Sequence, residues 1–290
     1  MRGAFTFNSI DDALRIREYA RNRRKAVVVG GGVLGLESAA ALKHMGLEVT
    51  VVEISPRLLP RQLDEEGAKI LRNKIEDLGI EVILDHQTEE ILGEDAVSGI
   101  LLNSGQKISG ELVLVSAGIR ANLELTEQGT VQRDKGIIVD DFMKTTVPEI
   151  YAAGDVAEHR GRVYGIIPPA IEQAKVAGLN MLREGSETYK GTVPSNALKV
   201  AGVTLTSIGL AQPPERGYDE IKSIDATKGI YKKIVIKDNR VVGTILLGER
   251  KQVGPLRRLI SEKINVSNFK DQILREDFDI RSVLKSHRLS

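Results

Sequence analysis

The chain has 290 residues, 41% hydrophobic and 28% charged, with 28 glycines, a balance that supports a sizeable core and excludes a disordered or collagenous protein. It contains no cysteine, which excludes a disulfide framework, a thiolate nucleophile, a CxxC redox pair and any thiolate metal site, so redox chemistry would belong to a bound organic cofactor. The formal charge of +1 conceals an asymmetry: residues 1–185 carry 22 basic against 28 acidic side chains, and residues 186–290 carry 19 against 12.

A basic C-terminal third reads equally as a solvated surface or as a face for an acidic partner. Aromatic residues are few and no nucleic-acid motif accompanies the lysines, so no nucleic-acid partner is expected. His44, His86, His159 and His287 form no HExxH or other ligand cluster, and no metal is expected. The longest charge-free apolar stretch, from Ala26 to Leu36, ends at Glu37, well short of the ~20 residues a membrane span needs. With a charged N-terminus and no apolar leader, a cytoplasmic protein is expected.

In chain order, Ser9 followed by Asp11 and Asp12 predicts a capped helix running toward Arg24. Lys25 to Gly30 is a β-branched apolar run ending in glycine, the pattern of a strand buried on both faces of a parallel sheet. Leu34 to Met45 reads as a helix ended by Gly46, and Leu47 to Glu53 as a second strand, which completes a βαβ unit. Asp64 to Leu78 is an amphipathic helix closed by Gly79, and Ile80 to Leu84 a third strand. Short alternating segments at Glu90–Leu92, Val97–Leu102 and Gln106–Ile108 predict an antiparallel meander. Glu111 to Ser116 is again a buried strand. Strand-like Ile137–Val139 and a helix over Pro168–Arg183, with its prolines in the first turn, follow. Beyond Tyr189 come strands at Ala197–Ile208, Gly229–Val241 and Val242–Leu247, then helices at Pro255–Lys263 and Asn268–Leu274.

Within the βαβ unit, Gly30, Gly31, Gly32, Val33, Leu34 and Gly35 fit G-x-G-x-x-G directly between a strand and a helix, with Glu53 ending the next strand. Gly30 permits the tight turn, Gly32 lets the backbone approach a pyrophosphate, and Gly35 lets helix and strand pack closely. A tight turn alone would account for a lone glycine pattern; strand, helix and terminal acid together predict a dinucleotide site. Glu53 would accept from the adenosine ribose hydroxyls and repel a 2′-phosphate, which predicts NAD(H), although Arg57, four residues on, would complicate this by meeting such a phosphate.

Three stretches resemble the FAD-dependent pyridine nucleotide–disulfide oxidoreductase superfamily. They are Gly30–Glu37, the loop Ser116–Asn122 containing Gly118, and Thr146–Asp155 ending in Gly154 and Asp155. The usual proline before Asn122 is Ala121 here. The resemblance implies that Asp155 binds the ribityl hydroxyls of FAD and that Glu37 sits beside flavin and nicotinamide, although Asp155 as a simple helix cap and Glu37 as a residue favoured near a helix N-terminus remain open. It further implies that the helix beginning near Pro169 points its N-terminus at the flavin. Tyr231–Gly248 and Gly254–Ile260 are similar to the small domain of the NADH-dependent nitrite reductase flavin region and the rubredoxin reductases.

The expected architecture is α/β: an N-terminal helix and linker (1–24), a Rossmann-like NAD-binding domain with an antiparallel meander (25–110), part of an FAD-binding domain (111–185) and a small α+β C-terminal domain (186–290). The superfamily pattern opens with a further βαβ unit whose own G-x-G-x-x-G holds the ADP half of FAD, and that unit is not seen in this sequence. A separate subunit carrying that first FAD motif, a fragment, or a chain that has lost flavin are all open readings. The expected function is FAD-dependent transfer from NADH to an acceptor, with an acidic redox protein such as rubredoxin as candidate partner and a homodimer as the implied assembly. A noncatalytic NAD(H)-binding or subunit-interaction module is the alternative.

Overall fold

The computed structural model describes residues 1–126, 129–193, 195–213, 216–275, 277–281 and 284. The backbone divides into two compact units, Met1–Ala117 joined with the chain from 194 onward, and Gly118–Val193.

The first unit begins with β1 (Ala4–Thr6), α1 (Ile10–Ala20), β2 (Lys25–Val29), α2 (Val33–His44), β3 (Glu48–Val52), α3 (Glu65–Asp77) and β4 (Ile80–Ile83). A meander of β5 (Thr88–Gly93), β6 (Val97–Leu102) and β7 (Lys107–Ser109) follows, and then β8 (Leu112–Val115). The parallel sheet runs β1-β8-β2-β3-β4, while β5-β6-β7 is antiparallel. Successive residues of a strand face opposite ways, and the sheet uses both faces. Val28, Val51 and Leu114 pack with Leu36, Leu42, Leu71 and Ile75 of the helices. Val27, Val52 and Val113 pack with Val97, Ile100 and Leu102 of the meander. The continuous β-branched runs of the sequence are thus buried from two sides.

Ser9 caps α1 as its spacing predicts: its Oγ accepts from Asp12 N at 3.1 Å and its own N donates to the Asp12 carboxylate at 3.0 Å. Two boundaries differ from the expected ones. Residues 1–24 are more than helix and linker, because β1 pairs with β8 at the sheet edge. The division expected at Gly110 lies after Ala117 instead. The apolar residues of β8 hydrogen-bond between β1 and β2, which ties Glu111–Ser116 to the nucleotide-type sheet and not to the segment after it.

The second unit holds β9 (Ile137–Val139), β10 (Ala157–His159) and α4 (Ile167–Leu182), with β9 and β10 parallel. Val139, Met143, Ala152, Ala157, Val176 and Ala177 form its core with Tyr189. Burial of Tyr189 carries this unit past the expected end at Gly185 to Val193. The buried His159 ring lies 4.9 Å from the Tyr189 ring and bonds through Nε2 to Asp141 Oδ1 at 2.9 Å. Arg160 first, and His159 second, hold the Asp141 carboxyl below its ordinary value.

The chain then returns to the first unit as β11 (Ser195–Val200), β12 (Val203–Gly209), β13 (Asp219–Asp225), β14 (Ile230–Lys237), β15 (Arg240–Leu247) and α5 (Val253–Ser261). These strands form an antiparallel sheet, β11-β12-β15-β14-β13. Ile234, Ile236 and Leu246 face Leu256 and Leu259 of α5, whereas Tyr231, Ile245 and Leu247 share a core with Leu71 of α3. The α+β character expected here holds, but Ala197–Ile208 is two strands with Ala201 and Gly202 at the turn, and Asn268–Leu274 contains only a 3₁₀ turn at Lys270–Gln272. No helix among the described residues is long and apolar enough to cross a membrane. His287 lies outside the described residues.

Candidate functional site

The glycine-rich turn joins β2 to α2. Gly30 has φ +116°, and a Cβ there would stand 2.3 Å from Ser116 O. A Cβ on Gly35 would stand 2.0 Å from Gly30 O, and one on Gly31 would press on Leu58 at 2.7 Å. Packing therefore requires three of the glycines. Gly32 is different, since nothing lies within 4 Å of the position its Cβ would take. Gly32 is the N-cap of α2 and supplies no side-chain hydrogen bond, and no acid occupies the first turn. The leading N–H groups of a helix have no intrahelical partner. Here, with Val33 half-buried and Leu34 exposed, they border open space at the positive end of the helix dipole, which suits a phosphate.

Glu53 is buried at 7% exposure. Its Oε2 accepts from Gly31 N at 2.6 Å and its Oε1 from Ser55 N at 2.8 Å. The residue expected to meet a ribose therefore also fixes the glycine turn, and each oxygen keeps a further lone pair. The loop after Glu53 folds back over the turn: Leu59 N donates to Gly31 O at 3.1 Å, and Leu58, Leu59 and Leu63 are fully buried. Within this loop Arg57 donates from Nε to Leu63 O at 3.2 Å and from Nη2 to Gln212 Oε1 at 3.1 Å. Gln212 Nε2 donates in turn to Pro60 O at 3.0 Å. Glu37 is the fifth residue of α2, exposed and without a hydrogen bond or ion pair among the described residues. It stands beyond the first turn, so it does not cap the helix.

In the second unit Gly118 opens the chain at φ +96° and is exposed. Gly154, at φ +84°, donates its N–H to Gln173 Oε1 at 2.8 Å. Gln173 is 1% exposed on α4, so a buried side chain of the helix fixes the turn. Asp155 follows in a 3₁₀ turn over Gly154–Val156, exposed and with no side-chain hydrogen bond among the described residues. It does not cap α4, whose N-cap is Ile166. That N-cap supplies no side-chain hydrogen bond, and Pro169 is buried in the first turn. Among the described residues no three His, Asp or Glu side chains group as metal ligands.

Sequence reasoning missed Gln212 and gave Gln173 no role. Gln212 lies 155 positions from Arg57, and no local pattern connects them. Gln173 stands nineteen positions from Gly154, with only its place on the buried face of a predicted helix as a signal.

The family model for pyridine nucleotide-disulphide oxidoreductases matches residues 1–179. The chain belongs to the pyridine nucleotide-disulphide oxidoreductase family. A second model, the rubredoxin NAD+ reductase C-terminal domain, matches residues 194–264. Among relatives of this family member, a nitrite reductase [NAD(P)H] of Bacillus subtilis is 39% identical over 266 residues, 92% of this chain and 33% of the relative. An NADH-rubredoxin oxidoreductase of Clostridium acetobutylicum is 31% identical over 91% of this chain and 65% of its own length. The crystal structure of NADH:rubredoxin oxidoreductase from Clostridium acetobutylicum superposes with a TM-score of 0.73 at 28% identity, covering 98% of this chain and 69% of that one. The chain thus spans about a third of the nitrite reductase and 65% of the rubredoxin-reducing relative. The family name mentions a disulphide, but this member has no cysteine to form one.

Proposed function

We propose that the chain acts as an FAD-dependent NADH:acceptor oxidoreductase, or as the pyridine-nucleotide-binding portion of one. The observation that carries this reading is the uncapped start of α2 at Gly32, facing clear space beside Glu53. A pyrophosphate fits where a Cβ would otherwise stand, with Gly32, Val33, Leu34 and Gly35 presenting backbone N–H groups to it. Glu53 would use its spare lone pairs on the adenosine ribose, and its charge disfavours a 2′-phosphate. FAD fits the exposed Asp155 carboxylate next to the Gly154 turn, with the open start of α4 near Pro169 favouring negative charge.

When bound, FAD would supply hydride acceptance from the nicotinamide and onward delivery of electrons. The residues of this chain hold and orient. Gly31 and Glu53 lock the turn that bears the nucleotide, Gln173 locks the turn that bears Asp155, and Glu37 presents an exposed carboxylate along α2. Holding each cofactor in one orientation is the role of the protein in this reading, an effect worth several orders of magnitude in rate when the geometry is right. The acceptor of this reading is an acidic redox protein, on the model of the rubredoxin-reducing relative. The setting is the cytoplasm, where reduced nicotinamide is supplied.

The test is the visible absorption spectrum of the purified chain, before and after FAD and then NADH are added without oxygen. Bound flavin that bleaches with NADH supports the reading. A colourless protein that binds NADH and never flavin would remove the first form of the reading and leave either the nucleotide-binding portion of a larger enzyme or a noncatalytic NAD(H)-binding module.

A further inference from the structure

We propose that Gln212 sets the preference for NADH over NADPH by holding the Arg57 guanidinium away from the nucleotide. The inference rests on the reading of the glycine turn as the NAD site.

Between Glu53 and Pro60 the loop has one basic side chain, Arg57. A cation in this segment, just past the ribose-binding acid, is what a 2′-phosphate would pair with. The structure directs that cation elsewhere. Arg57 gives Nε to Leu63 O and Nη2 to Gln212 Oε1. Gln212 completes the clamp by donating its amide to Pro60 O, which pins the same loop from its other end. A glutamine suits this position because it accepts from the arginine and donates to the carbonyl with one planar group.

Gln212 does not belong to the nucleotide-type fold. It follows β12 of the C-terminal sheet, next to Ala211, which is buried in the core shared with α2 and α3. The packing of that sheet against the α3 side of the first unit brings the clamp to the loop. The C-terminal sheet, which makes no part of the glycine turn, thereby acts on cofactor choice. With Arg57 bonded to Leu63 and Gln212, the charged group that the glycine turn itself holds is the Glu53 carboxylate, which repels a 2′-phosphate.

The experiment is fluorescence titration of the full chain with NADH and with NADPH, which reads binding independently of turnover. Gln212→Leu keeps the bulk and removes both hydrogen bonds, so NADPH should bind about tenfold more tightly, the effect of one hydrogen bond to a charged group. NADH binding should stay within about twofold, because a neutral hydroxyl has no opposite charge to pair with the freed cation. Gln212→Glu still accepts from Arg57 and should give no gain for NADPH. Arg57→Gln alone should leave NADPH binding as in the unaltered chain, and combined with Gln212→Leu it should abolish the gain.

Unchanged NADPH affinity in a folded Gln212→Leu variant overturns the proposal. So does a gain that survives Arg57→Gln, which would assign it to the neighbouring Arg61. Weaker NADPH binding in Arg57→Gln alone also overturns it, since the arginine would then already be in use, and this outcome does not depend on Gln212→Leu folding. An unaltered chain that binds neither nucleotide defeats the site reading itself, and the proposal with it.

Discussion

The Tyr231 hydroxyl donates to Asp64 Oδ2 at 2.6 Å, joining the C-terminal sheet to the cap of α3. The other oxygen of Asp64 caps that helix through Gly67 N at 3.1 Å, and Lys233 Nζ adds an ion pair at 3.1 Å. Tyr231 is fully buried and Lys233 nearly so. Burial raises the Asp64 pKa, but the hydrogen bonds from Tyr231, Gly67 and Lys233 outweigh it and hold the carboxyl below its ordinary value of 3.8. A depressed folded-state value contributes stability that is fully present above the ordinary value and is lost as pH falls through the lowered one. Asp64→Asn should therefore lower the melting temperature at pH 7, and the difference from the unaltered chain should shrink as the pH falls below the ordinary carboxylate value and through the lowered one. Tyr231→Phe should cost about 1.5–3 kcal/mol at pH 7 by denaturant titration, the worth of one hydrogen bond to a charged group. An unchanged midpoint for Tyr231→Phe would remove the linking role of this pair.

Two glycines of the turn should separate structure from binding. Gly35→Ala places a methyl 2.0 Å from Gly30 O, so the βα unit must shift and stability should fall by about 2–3 kcal/mol. Gly32→Ala meets nothing within 4 Å at a φ of −78°, which any residue adopts. Its melting temperature should fall only modestly, since alanine is less favourable than glycine at an N-cap by on the order of 1 kcal/mol. NADH affinity should nevertheless drop by tenfold or more, because the methyl fills the pyrophosphate position. Thermal melts paired with NADH titration check both. Normal NADH binding by Gly32→Ala would place the nucleotide elsewhere.

The elements legible in the sequence were those whose signal is local. β2, β3 and β8 are apolar because both faces are covered, and α2 and α3 show their ends through flanking glycines and the Asp64 cap. What escaped depends on distant partners. β1 is three residues with no pattern, made a strand by β8 more than a hundred positions later. β13 is a polar edge strand, and one covered face leaves too few apolar residues to announce it. The fingerprint singles out Gly30–Gly35 and Glu53 as candidates, yet it leaves Glu53 free for a ribose. The hydrogen bonds from Gly31 and Ser55 appear only when the turn is folded. Arg57 looked available for the same reason, since Gln212 is remote in sequence.

Asp155 and Gln173 should differ in the opposite sense to a pair of interchangeable polar residues. Asp155 is exposed with no side-chain partner among the described residues, so Asp155→Ala should leave the thermal melt within about 0.5 kcal/mol of the unaltered chain. FAD binding, followed by quenching of flavin fluorescence, should fall by tenfold or more, since a charged hydrogen bond to the ribityl chain is lost. Gln173→Leu instead leaves Gly154 N without its acceptor beneath α4. It should destabilise by about 1 kcal/mol, because the half-buried Gly154 N–H loses its acceptor while the Gln173 amide nitrogen, unpaired among the described residues, is removed with it, and weaken FAD only through the displaced turn. Full FAD affinity in Asp155→Ala would detach this residue from the flavin.

The basic surplus of the C-terminal part is largely kept in the folded chain, so it should pull on an acidic acceptor. Lys232 pairs with Glu249, Lys233 with Asp64 and Glu220, Lys222 with Glu66, and Arg258 with Glu262. The pairs with Glu249, Glu220 and Glu262 lie within residues 186–290 and leave its surplus of seven, 19 basic against 12 acidic, unchanged, while Asp64 and Glu66 from the nucleotide-type unit offset two of it. Lys251 and Lys263, flanking α5, are exposed and carry no ion pair among the described residues. Raising the ionic strength from about 0.01 M to about 0.15 M shortens the screening length from about 30 Å to about 8 Å. Reduction of an acidic protein acceptor should slow severalfold across that range in stopped-flow measurements, and Lys251→Glu with Lys263→Glu should flatten the dependence. NADH binding should be unaffected by the same two substitutions, because the glycine turn lies on other elements. A salt-independent rate in the unaltered chain would show that the acceptor is not steered by this surface.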